Sequence, residues 1–305
     1  MKKYNVFISI FVLFLMLNMI LAPKLYLNAT KEGLNLWANK VVPSVLVFMF
    51  LVKLFITLSS NCRTSPIAVK LCHKLWNCPA LSLRIFLCSI LSGYPVGAMM
   101  ISDQYMQGKI TRSQAGRMCG FCSNSGPMFI VGAVGLSMFG NAKLGFIILA
   151  SHIIGAIING FLYKNINLPE MELKQTPINH QKFDLSAIVG STFSSVLSIG
   201  VIIAVFFVVI TFFQPLIQLL PAPLSQITEG LIEITKGCQS ISQNLSGISA
   251  LLSATFVISF GGFSTIVQSI ALLGKINLPI KVFVLQKFSH ALISTIVAGL
   301  LFFII

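Results

Sequence analysis

The chain has 305 residues, 56% of them hydrophobic and only 9% charged. A soluble domain carries about 25% charged residues, so this chain lacks the polar surface of a water-soluble globule, and its hydrophobicity excludes intrinsic disorder. Lys and Arg outnumber Asp and Glu by 21 to 7, but they stand in short segments between apolar runs, as orienting loops do, and none is long enough to track nucleic-acid phosphates.

The composition predicts an all-α, polytopic helical membrane protein whose first partner is the lipid bilayer. Residues 1–305 form one integral membrane domain with about eight apolar segments. The first run covers residues 5–22 after Lys2 and Lys3. A signal-peptide cut after Ala22 would put Ile20 where a small residue is needed and Pro23 next to the cut, so an uncleaved span is expected. Residues 24–40, with Leu34, Leu36 and Trp37, are expected to lie at the interface, ahead of a second run at 41–58. Within that run Lys53 is expected to snorkel or pair. Residues 61–84 carry Arg63, Lys70, Lys74 and Arg84 without an acid, which places them, with the N-terminus, on the cytoplasmic side.

Runs at 85–102 and 118–140 flank a polar segment at 103–117, and 144–163 is an uninterrupted span. The most polar loop is 165–184, with Glu170, Glu172, Lys174 and Lys182. Residues 185–213 span with tilt. Residues 214–247 read as a weakly polar connection, and runs at 248–273 and 282–305 complete the chain.

If all eight runs cross, the segment with Lys275, Lys281 and Lys287 falls outside and 214–247 falls inside, both against the positive-inside rule. Both placements reverse if one run between Ile85 and Gly140 is a re-entrant hairpin, whose backbone must be buried in protein or line a cavity. A short internal echo points the same way. Gly108-Lys109-Ile110-Thr111 is matched by Gly274-Lys275-Ile276-Asn277, and Ser92-Gly93-Tyr94-Pro95 loosely by Ser259-Phe260-Gly261-Gly262. Candidate repeat units at 33–140 and 185–305 would then form an inverted repeat. A faithful repeat would also make 248–273 re-entrant, which returns Lys275 to the outside.

Three apolar runs contain helix breakers: residues 92–98, 122–127 and 259–264. Proline removes a backbone donor and glycine permits dihedrals other residues avoid. Unwound turns at membrane depth expose amides and carbonyls that can hold a polar ligand. Gly93, Tyr94, Pro95, Gly97, Asn124, Ser125, Gly126, Pro127, Gly261, Gly262, Ser264 and Gln268 are therefore the candidate substrate-binding residues. Simple kinks or close helix packing would use the same small residues. His152 and His290 are candidates for a titrating role.

Nothing points to catalysis. There is no Gly-x-Ser-x-Gly, no His-Glu-x-x-His and no intramembrane carboxylate pair. The seven cysteines, including the Cys119-x-x-Cys122 pair, have no second pair at zinc-ribbon spacing and read as packed thiols. No metal and no cofactor is expected.

Three blocks carry a resemblance: Leu91-Ser92-Gly93-Tyr94-Pro95-Val96-Gly97-Ala98, then Phe121-Cys122-Ser123-Asn124-Ser125-Gly126-Pro127-Met128-Phe129-Ile130, then Gly135 with Met138-Phe139-Gly140. Together they resemble the YlbJ-type sporulation integral membrane proteins, of the nucleoside-recognition or Gate-domain group. Ser259-Phe260-Gly261-Gly262-Phe263-Ser264 with Gln268, and Gly33-Leu34-Asn35-Leu36-Trp37 leading into Val42-Pro43-Ser44, are similar to further signatures of that family, so the resemblance runs from about Gly33 to Leu300. The segment near Lys287 and His290 departs from the pattern.

The resemblance implies a spore-former, a multi-pass protein of the bacterial cell membrane, placed in the mother-cell membrane during sporulation, and kinship with transporter-like domains. The expected function is a transporter-like protein, needed for spore formation, that moves or binds a small polar or amphiphilic solute. The other reading is a non-transporting assembly or signalling protein of the developing spore envelope. The sequence specifies neither the solute, the transport direction nor the coupling ion, and a homo-oligomer is compatible with it.

Overall fold

The computed structural model describes residues 2–58, 65–170 and 184–304, and among these no strand occurs. Asn61, Cys62, Arg63, Glu172, Lys174 and Lys182 lie outside the described residues. Lipid offers the backbone no hydrogen bonds, so apolar runs of this length close their own amides as helices. The helices are α1 (Lys2–Leu21), α2 (Pro23–Leu36), α3 (Val42–Leu58), α4 (Pro66–Trp76), α5 (Leu81–Ser92), α6 (Val96–Met106), α7 (Arg112–Cys119), α8 (Ala142–Leu162), α9 (Leu185–Ile217), α10 (Leu224–Ile232), α11 (Ile234–Asn244), α12 (Gly247–Phe260), α13 (Gly262–Leu273) and α14 (Ile280–Ile304). Two further segments, Trp37–Val41 and Met128–Met138, are π-helical.

Among the described residues, five helical stretches are long and apolar enough to cross a membrane: Pro23–Leu58, Ala142–Leu162, Leu185–Ile217, Gly247–Leu273 and Ile280–Ile304. They become six if α4 and α5, bent by 81°, count as one broken span. The chain is thus a multi-pass helical membrane protein. Beside these stretches, α1 is a helix of 20 residues that is apolar over Val6–Leu21, Met128–Met138 is a shorter apolar helix, and the run at 85–102 is interrupted between α5 and α6.

Two segments depart from their expected form. Residues 24–40 are continuous with the run that follows them. α2 continues through the π turn into α3, a helix of 36 residues in all. It packs on α9, where Trp37 Nε1 donates to the Val196 carbonyl at 3.1 Å and the indole covers Gly200. Lys53 pairs across the same contact, donating to the Ser191 carbonyl at 2.7 Å and to Ser195 Oγ at 2.9 Å.

Residues 214–247 are not a loop. α9 runs on to Ile217, and α10 and α11 fold back on each other so tightly that a Cβ on Gly237 would lie 2.1 Å from Gly230 Cα. The polar residues that made this stretch look like a connection, among them Glu229, Glu233 and Thr235, are buried.

The polar segment at 103–117 also turns inward. Thr111 and Gln114 close a capping box on α7, which satisfies two otherwise orphaned amides. The guanidinium fork of Arg112 then donates to the carbonyls of Ile276 (3.0 Å), Asn277 (2.6 Å) and Pro169 (2.7 Å). Arg117 donates to the carbonyls of Ile166 and Asn77 and to Asn167 Oδ1. These two arginines fasten three chain connections at one end of the bundle. Beneath them Trp76 stacks on Phe121 with ring centroids 4.1 Å apart, and Phe86 meets both edge-on.

Candidate functional site

The three breaks, far apart in sequence, meet in the middle of the bundle. The first separates α5 from α6. Gly93, at φ +74°, turns the chain, and a Cβ there would meet the Gly126 amide nitrogen at 2.7 Å. The second is the irregular stretch 122–127 between α7 and the π-helix Met128–Met138. Asn124 ties it to the first, donating to Ser89 Oγ at 2.9 Å and to the Phe121 carbonyl at 2.7 Å. The third is Gly261 between α12 and α13, whose absent Cβ leaves room for the Tyr94 hydroxyl. A fourth break, not expected from the sequence, is Glu233 between α10 and α11. Gly262 packs against it, beside the Gly230 carbonyl and the Ile234 amide.

A buried polar core holds these breaks together. The Ser125 amide donates to His152 Nε2 at 3.1 Å, so that nitrogen carries no proton. The ring proton therefore sits on Nδ1, 2.9 Å from Ser259 Oγ. His290 Nε2 lies 2.9 Å from the His152 carbonyl, which can only accept, and so is protonated. The two imidazoles are 4.7 Å apart between centroids. Lys287, 1% exposed, donates to the Ser123 carbonyl at 2.8 Å and to the Tyr94 hydroxyl. No described carboxylate forms an ion pair with it. Asn159 donates to the carbonyls of Gly120 and Gln286, and Gln286 Nε2 to that of Gly116, which stitches α7, α8 and α14 together.

In front of this core lies a cavity of about 80 Å³, room for a few waters or a small organic group. Its polar lining comes from Ser92, Gly93, Tyr94, Ser125 and Gly126 at the first two breaks, Glu233 and Thr235 at the fourth, and Ser264, Thr265 and Gln268 of α13. Most of the lining is apolar, from Val45, Phe48 and Met49 of α3, Ile199, Ile202 and Ile203 of α9, and Leu91, Met128, Phe129 and Ile234 beside the breaks. Ser92 Oγ and Ser264 Oγ are buried without a protein hydrogen-bond partner, as is Asn124 Oδ1 behind them.

Of the residues singled out from the sequence, Gly93, Tyr94, Ser125, Gly126, Ser264 and Gln268 line the cavity. Pro95, Gly97, Asn124, Pro127, Gly261 and Gly262 do not. Gly97, Asn124, Gly261 and Gly262 join the breaks to one another, while Pro95 and Pro127 precede the helical segments that leave them. Glu233 was hidden in an apparent loop. Lys287 is not a loop cation that sets topology: it stands inside the 25-residue helix α14, and its place in a run that begins at Ile280 is the signal that could have found it. The described cysteines, Cys119 and Cys122 among them, are buried free thiols. Among the described residues no cluster of three or more His, Cys, Asp or Glu is placed to hold a metal.

Fold and site together define a multi-pass helical membrane protein with broken helices around a small internal cavity. No family model matches the sequence, and no solved structure matches it. A curated relative, sporulation integral membrane protein YlbJ of Bacillus subtilis (strain 168), is 28% identical over 169 residues, which is 55% of this chain and 41% of the relative. The match therefore spans about two fifths of that relative's length, and it is shorter than the extent over which the signature blocks are spread.

Proposed function

We propose that this chain is a transporter-like membrane protein that binds a small polar or amphiphilic solute in the cavity between its helix breaks, and that it serves spore formation. The observation that carries the first part is the convergence of Gly93–Tyr94, Ser125–Gly126 and Ser264–Gln268 on one cavity. Irregular backbone at membrane depth is tolerated where it is buried in protein or lines a cavity, and discontinuous helices meeting at a site are a recurring design of secondary transporters. Similarity to a relative named as a sporulation integral membrane protein supports the second part. The Gate-domain kinship and the mother-cell location belong to the same proposal and rest on the signature blocks.

The reading is non-enzymatic, and the geometry of the one tempting dyad supports it. His152 directs its Nδ1 proton at Ser259 Oγ, while its Nε2 is taken by the Ser125 amide. A general base needs the reverse arrangement, with a free ring nitrogen accepting from the hydroxyl.

The test is accessibility and phenotype together. Ser264→Cys in membrane vesicles should react with a membrane-impermeant maleimide from one face and, on a slower timescale, from the other, as alternating access requires. Ser264→Leu should abolish heat-resistant spores while the protein still accumulates in the membrane. A Ser264→Cys protein inert from both faces, with normal spores from Ser264→Leu, overturns the site. Normal spores from the cavity variant, combined with loss of function on replacing loops, would instead support the assembly or signalling role.

A further inference from the structure

The cavity lining carries one acidic side chain. It is Glu233, 1% exposed, and no Lys, Arg or His shares the wall with it. Its carboxylate caps α11, accepting from the Lys236 amide at 2.7 Å and from Thr235 Oγ1 at 3.1 Å. A carboxylate has about four acceptor positions, so the cap leaves capacity on both oxygens. The nearby Lys236 ammonium forms its ion pair with Glu32 and acts on Glu233 only through the field of its charge. Lys287, the buried cation behind this wall, is directed at Tyr94 and Ser123 and does not line the cavity. Burial disfavours the charged form of a carboxyl, and a cation brought into the cavity would favour it.

Two further acceptors share that wall: the hydroxyls of Ser264, 1% exposed, and Ser92, 5% exposed, which have no protein partner. Phe48, Met49, Ile202 and Ile203 line the same cavity. We propose that the cavity takes a solute with a positively charged ammonium head on a short apolar body, the head against Glu233 and Ser264 and the body against α3 and α9. This rests on the solute-cavity reading and narrows its substrate class. An anionic head would meet Glu233 with no cation on the wall. A neutral head would do nothing to favour the charged form of the carboxyl. A bare metal ion would leave the apolar wall unused.

The experiment uses matched three-carbon probes and the detergent-purified full chain, read by thermal unfolding. Propylammonium chloride should stabilise the protein saturably, with apparent affinity at least tenfold above that of propanol, and sodium propionate should give nothing beyond sodium chloride. Glu233→Gln should abolish the preference for propylammonium over propanol. Because Glu233 also caps α11, Ser264→Leu provides a second variant that keeps the cap and fills the head position, and it too should lose the response. Equal stabilisation by propanol and propylammonium, lost in Ser264→Leu, overturns the cationic head while leaving the solute cavity standing. Equal stabilisation by sodium chloride and propylammonium chloride overturns the organic ammonium in favour of a metal ion. No response to any probe overturns the inference, and labelling of Ser264→Cys then decides separately whether the cavity is a site at all.

Discussion

Gly97→Ala adds a single methyl group and tests the claim that the first two breaks are locked backbone to backbone. A Cβ on Gly97 would lie 1.7 Å from the Cys122 carbonyl oxygen and 2.9 Å from both the Cys122 carbonyl carbon and Ser89 Cβ. Ordinary contact begins at 3.4 Å, so α6 and the second break must part by about 1.7 Å. Neither side yields easily. Cys122 is preceded by Phe121, stacked on Trp76, and is followed closely by Asn124, which is bonded to Ser89. Overpacking costs about 1–3 kcal/mol and occasionally more, and losing the Asn124–Ser89 hydrogen bond adds about 1 kcal/mol. We expect a destabilisation of about 2–4 kcal/mol.

Gly190→Ala is the control. Gly190 lies inside α9 with nothing within 4 Å of its missing Cβ, and the same substitution there should stabilise by about 0.5–1 kcal/mol. Denaturation in mixed micelles, followed by helical circular dichroism, measures both. A Gly97→Ala protein as stable as wild type, beside a stabilised Gly190→Ala, would refute the close backbone packing.

His152→Leu leaves the Ser125 amide and the Ser259 hydroxyl without partners. At about 1–3 kcal/mol for each orphaned group, the loss should exceed 2 kcal/mol in the same assay, with His152→Gln milder. Lys287→Met removes a buried ammonium that no described carboxylate balances. Desolvating such a charge costs several kcal/mol, against about 1–3 kcal/mol for each of the two acceptors the variant leaves, the Ser123 carbonyl and the Tyr94 hydroxyl, so unfolding should show the variant within about 2 kcal/mol of wild type; a larger loss would mean that the ammonium is a net structural tie. Arg112→Met frees three carbonyls in the connections that follow α13 and α8. Hydrogen exchange at residues 274–278 should quicken by at least tenfold while α9 is unchanged.

Composition alone established an α-helical membrane chain, because a bilayer leaves a span no other way to satisfy its backbone within one segment. The positions of three breaks were equally readable, since Gly-Tyr-Pro, Asn-Ser-Gly-Pro and Gly-Gly inside apolar runs leave no regular helix to draw through them. Six of the residues chosen on that basis line the cavity. What they pack against was not readable. Gly97 meets Cys122, and Gly261 meets Tyr94 across more than 160 positions, and no local pattern encodes such a contact.

The two charged residues nearest the site were misplaced for opposite reasons. Glu233 sits between two short helices whose polar faces lowered the average hydropathy, so a buried hairpin resembled a connection. Lys287 was counted with the flanking lysines because charge normally marks the end of a span, whereas α14 had already begun at Ile280. Sequence determines how much apolar surface each segment has and where its helix must stop. Only the tertiary structure decides which polar side chains are taken inside, because burial of a charge depends on the hydrogen bonds that other helices bring to it.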